Sequence, residues 1–155
     1  MKLIKENYLF LILILFLFAI DRSVKIGIIN FLENKNSLFI NDYLNLVLVF
    51  NTGIGFGLFS LNAGIYYNVL TIFISIVILV LLFFMINSNL KEKFFFSFII
   101  GGAIGNLYDR IIFKAVPDFI DFHIQEFHWF TFNIADIFIS IGIIFMILNE
   151  IVYKK

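Results

Sequence analysis

Two aspartates, Asp118 and Asp136, occupy positions from which they could act together on an amide bond. Asp118 lies in a mixed polar segment, and Asp136 lies near the start of the last apolar run of the chain. When two carboxyl groups meet in a poorly solvated site, repulsion between like charges lets them share one proton, so that one serves as base and the other as acid. Such a pair can activate water against an amide without a metal ion or a covalent intermediate.

A second group of polar residues lies inside an apolar run. Asn106, Asp109 and Arg110 stand at i, i+3 and i+4 of a predicted helix. Gly102 and Gly105 lie on or near the same face and allow close approach of another helix. Ionisable side chains inside a membrane span are costly, so they usually face a bundle interior or a cavity and indicate function.

A purely structural role is open for Asp21, Lys25 and Asp109. Each could hold helices together by pairing with an opposite charge, and the sequence supports this role at least as well as a chemical one. Lys25 is not expected to act with Ser23 as a serine/lysine peptidase, because residues at i and i+2 of a helix do not face each other.

The composition indicates an integral membrane protein of one domain, residues 1–155. Hydrophobic residues make up 62% of the chain and charged residues 14%, and the mean hydropathy is +1.04, a balance that soluble domains do not show. A transmembrane helix needs roughly 20 mainly apolar residues. We therefore predict an all-α membrane fold with four transmembrane helices, over about residues 7–29, 65–87, 94–113 and 132–152.

The segments between the predicted helices have a different composition. Residues 30–64 contain asparagines, several glycines and a β-branched run over 46–50, a mixture that predicts a small β-sheet outside the bilayer core. Residues 114–131 combine Pro117, several acids and both histidines, and are expected to form a loop before the last helix. Both segments are expected on the extracytoplasmic side.

Loop lysines predict the orientation in the membrane. Six lysines fall on one side of the predicted spans, against chiefly Lys35 and Lys114 on the other; the six are Lys2, Lys5, Lys91, Lys93, Lys154 and Lys155. Because cytoplasmic loops are enriched in Lys and Arg, both termini are expected in the cytoplasm. The polar clusters of three helices then meet near the outer face of the membrane.

Several other chemistries are disfavoured by the sequence. The formal net charge is zero, so nucleic acid is not expected as a partner. The absence of cysteine removes thiolate nucleophiles and thiolate metal sites. Asp121, His123, Glu126 and His128 lie close together but do not match the H-E-x-x-H pattern, so both histidines are interpreted as interfacial residues and no metal is expected.

Five motifs, in order along the chain, resemble those of the lipoprotein signal peptidases, also called signal peptidase II. The resemblance extends over most of the chain, and five motifs in the right order are highly specific. They are Asp21-Arg22-Ser23-Val24-Lys25 for D-x-x-x-K, residues 51–57 (NTGIGFG) for N-x-G-x-A-F-G, residues 101–110 (GGAIGNLYDR) for G-G-A-x-G-N-x-x-D-R, residues 116–119 (VPDF) for V-V-D-F, and residues 132–136 (FNIAD) for F-N-x-A-D. Gly55 and Pro117 depart from the usual residues, but neither departure removes a reacting group.

The resemblance implies an intramembrane aspartic endopeptidase of the bacterial inner membrane. Its substrate would be a prolipoprotein whose lipobox cysteine carries a diacylglyceryl group, cut on the amino side of that cysteine near the outer face. Asp118 and Asp136 would be the catalytic dyad. Supporting roles are implied for Asn51, Gly53, Asn106, Arg110, Asn133, Asp21 and Lys25. The enzyme is expected to act as a monomer in the phospholipid bilayer, without a cofactor.

Two non-enzymatic alternatives remain. A small proton-coupled transporter subunit would use intramembrane Asp and Arg, but it would need polar groups through the full depth of the membrane. Here the polar groups crowd the outer third of the predicted helices. A passive four-helix assembly protein gives no reason for two acids at the same level on neighbouring elements.

Overall fold

A computed structural model describes residues 2–33, 35, 37–53 and 64–153. Within these residues the chain forms four helices and one sheet of four strands. The helices are α1 (Lys2–Leu32), α2 (Ile65–Asn87), α3 (Leu90–Phe113) and α4 (Ile134–Tyr153), and the strands are β1 (Ser37–Asn41), β2 (Leu44–Asn51), β3 (Val116–Ile124) and β4 (Phe127–Phe132). Motif positions 54–57, including Gly55, and the lysines at 154 and 155 lie outside the described residues.

Three of the helices are long and apolar enough to cross a membrane. These stretches are Tyr67–Asn87 in α2, Leu90–Phe113 in α3 and Ile134–Val152 in α4. The 31-residue α1 is not among them, and its second half carries Asp21 and Lys25. The structure therefore has three candidate membrane spans, as expected of a helical membrane protein, and the fourth span, over about residues 7–29, stays a prediction.

Helix α3 begins earlier than the sequence predicted. The third span was predicted to start at about residue 94, but α3 starts at Leu90. Asn89 caps it, because its side-chain oxygen accepts a hydrogen bond of 3.0 Å from the backbone N–H of Lys91. Lys93 therefore lies in the first turn, where it is buried and donates a hydrogen bond of 2.6 Å to Asn7 Oδ1.

The sheet is antiparallel, with its strands in the order β1-β2-β3-β4. The strand predicted around residues 46–50 is confirmed as part of β2. The loop predicted over residues 114–131 is wrong, because most of that segment forms β3 and β4. Acidic residues are depleted in strands, which favoured the loop interpretation. Pairing with β2 on one side and β4 on the other provides partners for the β3 backbone and outweighs this preference.

Glycines set the distance between α3 and α4. A Cβ atom at Gly102 would lie 2.4 Å from the carbonyl oxygen of Ala135. One at Gly142 would lie 2.6 Å from Ile99 Cγ1 and 2.7 Å from the carbonyl oxygen of Phe95. These separations leave no room for a methyl group, so the close approach of the two helices depends on glycine, as is common in membrane bundles.

Gly142→Ala is expected to destabilise this helix pair, because the added methyl group meets Ile99 and the α3 backbone. The cost should be about 1–3 kcal/mol in the free energy of unfolding, measured as a lower thermal midpoint in detergent. Gly27→Ala is the matched control, since nothing lies within 4 Å of a Cβ atom there and alanine favours helix. Equal midpoints for the two variants would show that α3 and α4 are not packed this closely.

Candidate active site

A buried lysine joins α1 to α3. The Nζ atom of Lys25 lies 2.8 Å from Asp21 Oδ2 and 2.7 Å from Asp109 Oδ2, and all three side chains are fully buried. The same atom donates a hydrogen bond of 2.9 Å to Asn106 Oδ1. Arg22 also pairs with Asp109. Because a buried charge is costly unless it is paired, these contacts fix the two helices against each other.

Asp21 also ties α1 to the beginning of α4. Its Oδ1 atom accepts a hydrogen bond of 3.0 Å from the backbone N–H of Ala135, one of the groups that a helix leaves unpaired at its N-terminus. A Cβ atom at Gly105 would lie 2.4 Å from Asp21 Oδ2, so glycine on α3 is what lets the carboxylate reach this position. Asp21 therefore holds α1, α3 and the start of α4 in fixed positions relative to one another.

Asp136 is held by a capping box at the start of α4. The Asn133 side-chain oxygen accepts a hydrogen bond of 3.1 Å from the backbone N–H of Asp136, and Asp136 Oδ2 accepts one of 3.1 Å from the backbone N–H of Asn133. The other carboxylate oxygen accepts a hydrogen bond of 2.8 Å from Asn106 Nδ2. Asn106 thus links Lys25 to Asp136, since its oxygen faces the lysine and its nitrogen faces the carboxylate.

Asp118 comes from β3 and faces the same asparagine. Asn133 Nδ2 donates a hydrogen bond of 2.6 Å to Asp118 Oδ1. Asn51 Nδ2, at the end of β2, donates one of 2.9 Å to Asp118 Oδ2. Asn133 therefore contacts both acids, Asp118 through its side-chain amide and Asp136 through the helix cap.

The environment of Asp118 favours its protonated form. Burial raises the pKa of Asp118 from the usual 3.8 to about 6, and the negative charge of Asp136 adds to this shift. The hydrogen bonds from Asn51 and Asn133 favour the carboxylate and lower the pKa, but by less than burial raises it. Asp118 can therefore hold a proton much closer to neutral pH than an ordinary aspartate.

Arg110 connects the end of α3 to the residues after β2. Its NH2 group donates a hydrogen bond of 2.9 Å to the carbonyl oxygen of Gly53, whose own N–H donates one of 2.8 Å to Asn51 Oδ1. Tyr67 on α2 donates a hydrogen bond of 3.2 Å to the carbonyl oxygen of Arg110. The guanidinium is thereby fixed close to the asparagine that holds Asp118.

Two largely apolar cavities flank Asp136. One has a volume of about 250 Å³ and is lined by Phe130, Phe132, Asp136, Ile137, Ser140, Ile141 and Ile144. The other has a volume of about 320 Å³ and is lined by Ile74, Ala103, Asn106, Arg110, Asp136, Ile139, Ser140 and Ile143. Because Asp136 lines both cavities, a ligand in either one would lie beside this residue.

The residues predicted for the site from the sequence form one connected set in the structure. Hydrogen bonds and ion pairs run through Gly53, Asn51, Asp118, Asn133, Asp136, Asn106, Lys25 and Asp21, with Arg110 attached through Gly53. Asp109, for which a structural role was left open, pairs with Lys25. Ser23 is exposed and donates to the Ala19 carbonyl oxygen of its own helix, away from this set.

Sequence reasoning missed two contributors to the site. Tyr67 lies near the start of an apolar run and belongs to no motif, so no sequence signal marked its hydroxyl group. The backbone N–H of Ala135 acts through its position in the first turn of α4. The spacing of Asn133 and Asp136 is a capping signal that could have located this helix start.

The stability of the protein should report the shifted pKa of Asp118. Because this pKa is higher in the folded protein than in the unfolded chain, the stability that Asp118 contributes is present below the unfolded value of 3.8 and is lost as the pH rises through about 6. The full loss is about 3 kcal/mol. Asp118→Asn should remove this pH-dependent loss. The free energy of unfolding of the variant, minus that of the wild type, should therefore be larger at about pH 8 than at about pH 4. Unfolding in detergent measures this difference, and an equal difference at both pH values would contradict the assignment.

The chain matches known proteins over nearly its whole length. The model of the family Signal peptidase (SPase) II matches residues 13–152. The lipoprotein signal peptidase of Pelagibacter ubique (strain HTCC1062) is 46% identical over 98% of this chain and 93% of the relative. That of Thermodesulfovibrio yellowstonii is 39% identical over 97% of each chain. That of Francisella tularensis subsp. mediasiatica is 36% identical over 100% of this chain and 99% of the relative.

Two solved structures of bacterial membrane enzymes share the fold. One has a TM-score of 0.75 and 28% sequence identity, over 94% of this chain and 91% of the other. The second has a TM-score of 0.77 and 25% identity, over 94% of each chain. The family match over most of the sequence, together with the lipoprotein signal peptidases that are 46% and 36% identical, shows that this chain belongs to the signal peptidase II family.

Proposed function

We propose that this protein is an aspartic endopeptidase that removes the signal peptide from diacylglyceryl-modified prolipoproteins, cutting on the amino side of the lipidated cysteine. The observation that carries the proposal is the bridge between the two acids, because Asn133 contacts the carboxyl groups of both Asp118 and Asp136. The substrate class follows from the relatives, which are named lipoprotein signal peptidases.

In the proposed mechanism Asp118 begins as the acid and Asp136 as the base. Asp118 holds the shared proton because burial raises its pKa to about 6. The Asp136 carboxylate accepts hydrogen bonds from Asn106 and from the backbone of Asn133, at the positive end of the α4 dipole. These hydrogen bonds stabilise the carboxylate form of Asp136, which is the form that accepts a proton.

The proposed reaction has two steps, and each step needs two proton transfers that involve the dyad. Asp136 takes a proton from water, the water oxygen bonds to the scissile carbonyl carbon, and Asp118 protonates the carbonyl oxygen. In the second step Asp136 gives its proton to the amide nitrogen, the C–N bond breaks, and Asp118 recovers its proton from the intermediate. Both acids return to their starting states without a covalent intermediate.

The groups around the dyad suit the two ends of the proposed substrate. The buried Nε of Arg110 has no hydrogen-bond partner among the described residues, so it offers a donor for a substrate carbonyl oxygen close to Asp118. The two cavities beside Asp136 present mostly apolar side chains. They match the acyl chains and the apolar signal segment that flank the scissile bond of a lipidated prolipoprotein.

Helix α1 is proposed as the fourth transmembrane span, with both termini in the cytoplasm and the dyad near the outer face of the inner membrane. Leu9, Ile12, Leu15 and Phe16 are exposed on its first half, as lipid-facing side chains are. The charges in its second half are buried and paired, which is how ionisable groups occur inside spans. Action as a monomer stays a prediction.

The apolar core of the bundle disfavours the transporter alternative. A buried apolar cluster lies inside the bundle and consists of Ile14, Ile78, Met85 and Ile100. In α3, Ile100 lies between the buried Lys93 and the polar residues around the two acids. On α3, the residues between buried Ser97 and buried Asn106 are all apolar or glycine, so an apolar layer separates the polar groups at the two ends of this helix. A proton relay needs a chain of polar groups across this layer.

The proposal is tested by signal peptide release from a diacylglyceryl-modified prolipoprotein in lipid vesicles. Asp118→Asn and Asp136→Asn keep the shape of each side chain and remove its acid, so each should lower the rate by about 10²- to 10⁴-fold. Asp42→Asn makes the same change in the exposed β1–β2 turn and should cleave at the wild-type rate. Folding of each variant is checked by its thermal midpoint.

Two results would overturn the proposal. The first is a folded wild-type protein that releases no signal peptide from this substrate. The second is wild-type cleavage by either dyad variant, because general acid–base catalysis by the pair requires both groups. In the first case, proton-coupled transport becomes the function to test.

A further inference from the structure

We propose that Asp121, His123 and His128 form a binding site for a divalent transition-metal ion of the Zn²⁺ type, separate from the catalytic dyad. All three residues belong to the hairpin of β3 and β4. In the sequence these residues lie close together with Glu126, but no metal was expected because their spacing does not fit the helical H-E-x-x-H motif. The hairpin brings the residues together through strand pairing instead.

Strand geometry explains why these three side chains converge. Asp121 and His123 stand at i and i+2 of β3, so they point to the same face of the sheet. His128 on β4 lies directly opposite His123 in the strand register. The two imidazole rings are stacked, with 5.2 Å between their centroids and 21° between their planes.

The distances are close to those of a tetrahedral site. Asp121 Oδ2 lies 2.8 Å from His128 Nδ1 and 3.8 Å from His123 Nδ1, and one ligand atom from each residue lies within 4.8 Å of the other two. Zinc–ligand bonds of about 2.1 Å place tetrahedral ligands about 3.4 Å apart. Small rotations of side chains on a fixed hairpin are therefore enough to coordinate an ion.

Asn45 offers a fourth ligand. It lies on β2 directly opposite Asp121, and its side-chain Nδ2 is 3.5 Å from His123 Nδ1. Its Oδ1 atom is buried and has no hydrogen-bond partner among the described residues. Rotating the Asn45 carboxamide by 180° exchanges the positions of Oδ1 and Nδ2, so that the unsatisfied oxygen faces the other three ligands. An ion would then provide the partner that the oxygen lacks.

Burial and charge also favour a cation. Asp121 is 3% exposed and His123 is 6% exposed, so the carboxylate is largely removed from water. The His128 side chain is 56% exposed and leaves a route of entry from solvent. Two neutral imidazoles and one carboxylate form a set that prefers Zn²⁺ and similar ions over Mg²⁺ or Ca²⁺, which take oxygen ligands.

A metal ion bound here would stabilise the sheet and would take no part in peptide-bond cleavage. An ion held by Asn45, Asp121 and His128 joins β2, β3 and β4. The central strand of these three also carries Asp118. Binding should therefore stabilise the strand that supplies one acid of the proposed dyad, but the inference about the metal stands on the cluster itself and does not require the proposed peptidase activity.

The test is titration of the untagged, full-length protein in detergent with Zn²⁺ by calorimetry, and with Co²⁺ by visible absorption. The wild type should bind one Zn²⁺ per chain and show the strong absorption of four-coordinate Co²⁺. His128→Ala, at an exposed position, should fold normally and weaken Zn²⁺ binding at least about tenfold, since even loss of an outer-shell partner costs about 10- to 100-fold. Glu126→Gln, in the adjacent exposed turn, is the control and should bind like the wild type.

Thermal unfolding provides a second readout that is independent of catalysis. Zn²⁺ should raise the midpoint of the wild type and of Glu126→Gln, and Mg²⁺ should not. Absence of Zn²⁺ binding, or equal binding by the wild type and His128→Ala, would overturn the proposal. Asp121 and His128 would then be a hydrogen-bonded cross-strand pair only.

Discussion

The ammonium group of Lys25 is the contact on which the rest of the site depends. It is fully buried and lies within 2.9 Å of oxygens from Asp21, Asp109 and Asn106. A buried cation is tolerated only when its charge is compensated. The cluster around it contains three cationic side chains and four carboxyl groups: Arg22, Lys25, Arg110, Asp21, Asp109, Asp118 and Asp136. It is neutral when one carboxyl group holds a proton, which agrees with a dyad that shares one proton.

Two asparagines carry this constraint from α1 to the sheet. Asn106 connects Lys25 to Asp136, and Asn133 connects Asp136 to Asp118. An amide side chain can accept through its oxygen and donate through its nitrogen, so each asparagine holds two different partners at once. The capping box fixes Asp136 to the backbone of α4, and strand pairing fixes Asp118 to β2. The relative position of the acids therefore follows from backbone geometry more than from flexible side chains.

The sequence predicted the apolar helices, because long apolar runs leave few alternatives, and ionisable residues within them are conspicuous. The assignment of most residues to the candidate site came from the resemblance to the signal peptidase II motifs. The sequence-based prediction failed for β3 and β4, whose acids and histidines indicated a loop. The pairing that makes β3 a strand joins it to β2, far away in the chain, and no local pattern contains that information. The contacts among Asp121, His123 and His128 could not be predicted for the same reason, since these side chains meet only once the hairpin forms.

The coupling between the two acids is the central claim, and infrared titration of the protonated carboxyl band of Asp118 tests it most directly. The band is identified by its absence in Asp118→Asn. In the wild type it should disappear as the pH rises through about 6. Asp136→Asn removes the neighbouring negative charge, so the midpoint should fall toward the ordinary aspartate value, while Asp42→Asn should leave it in place. An unchanged midpoint in Asp136→Asn would contradict the account, because the two carboxyl groups would then not interact.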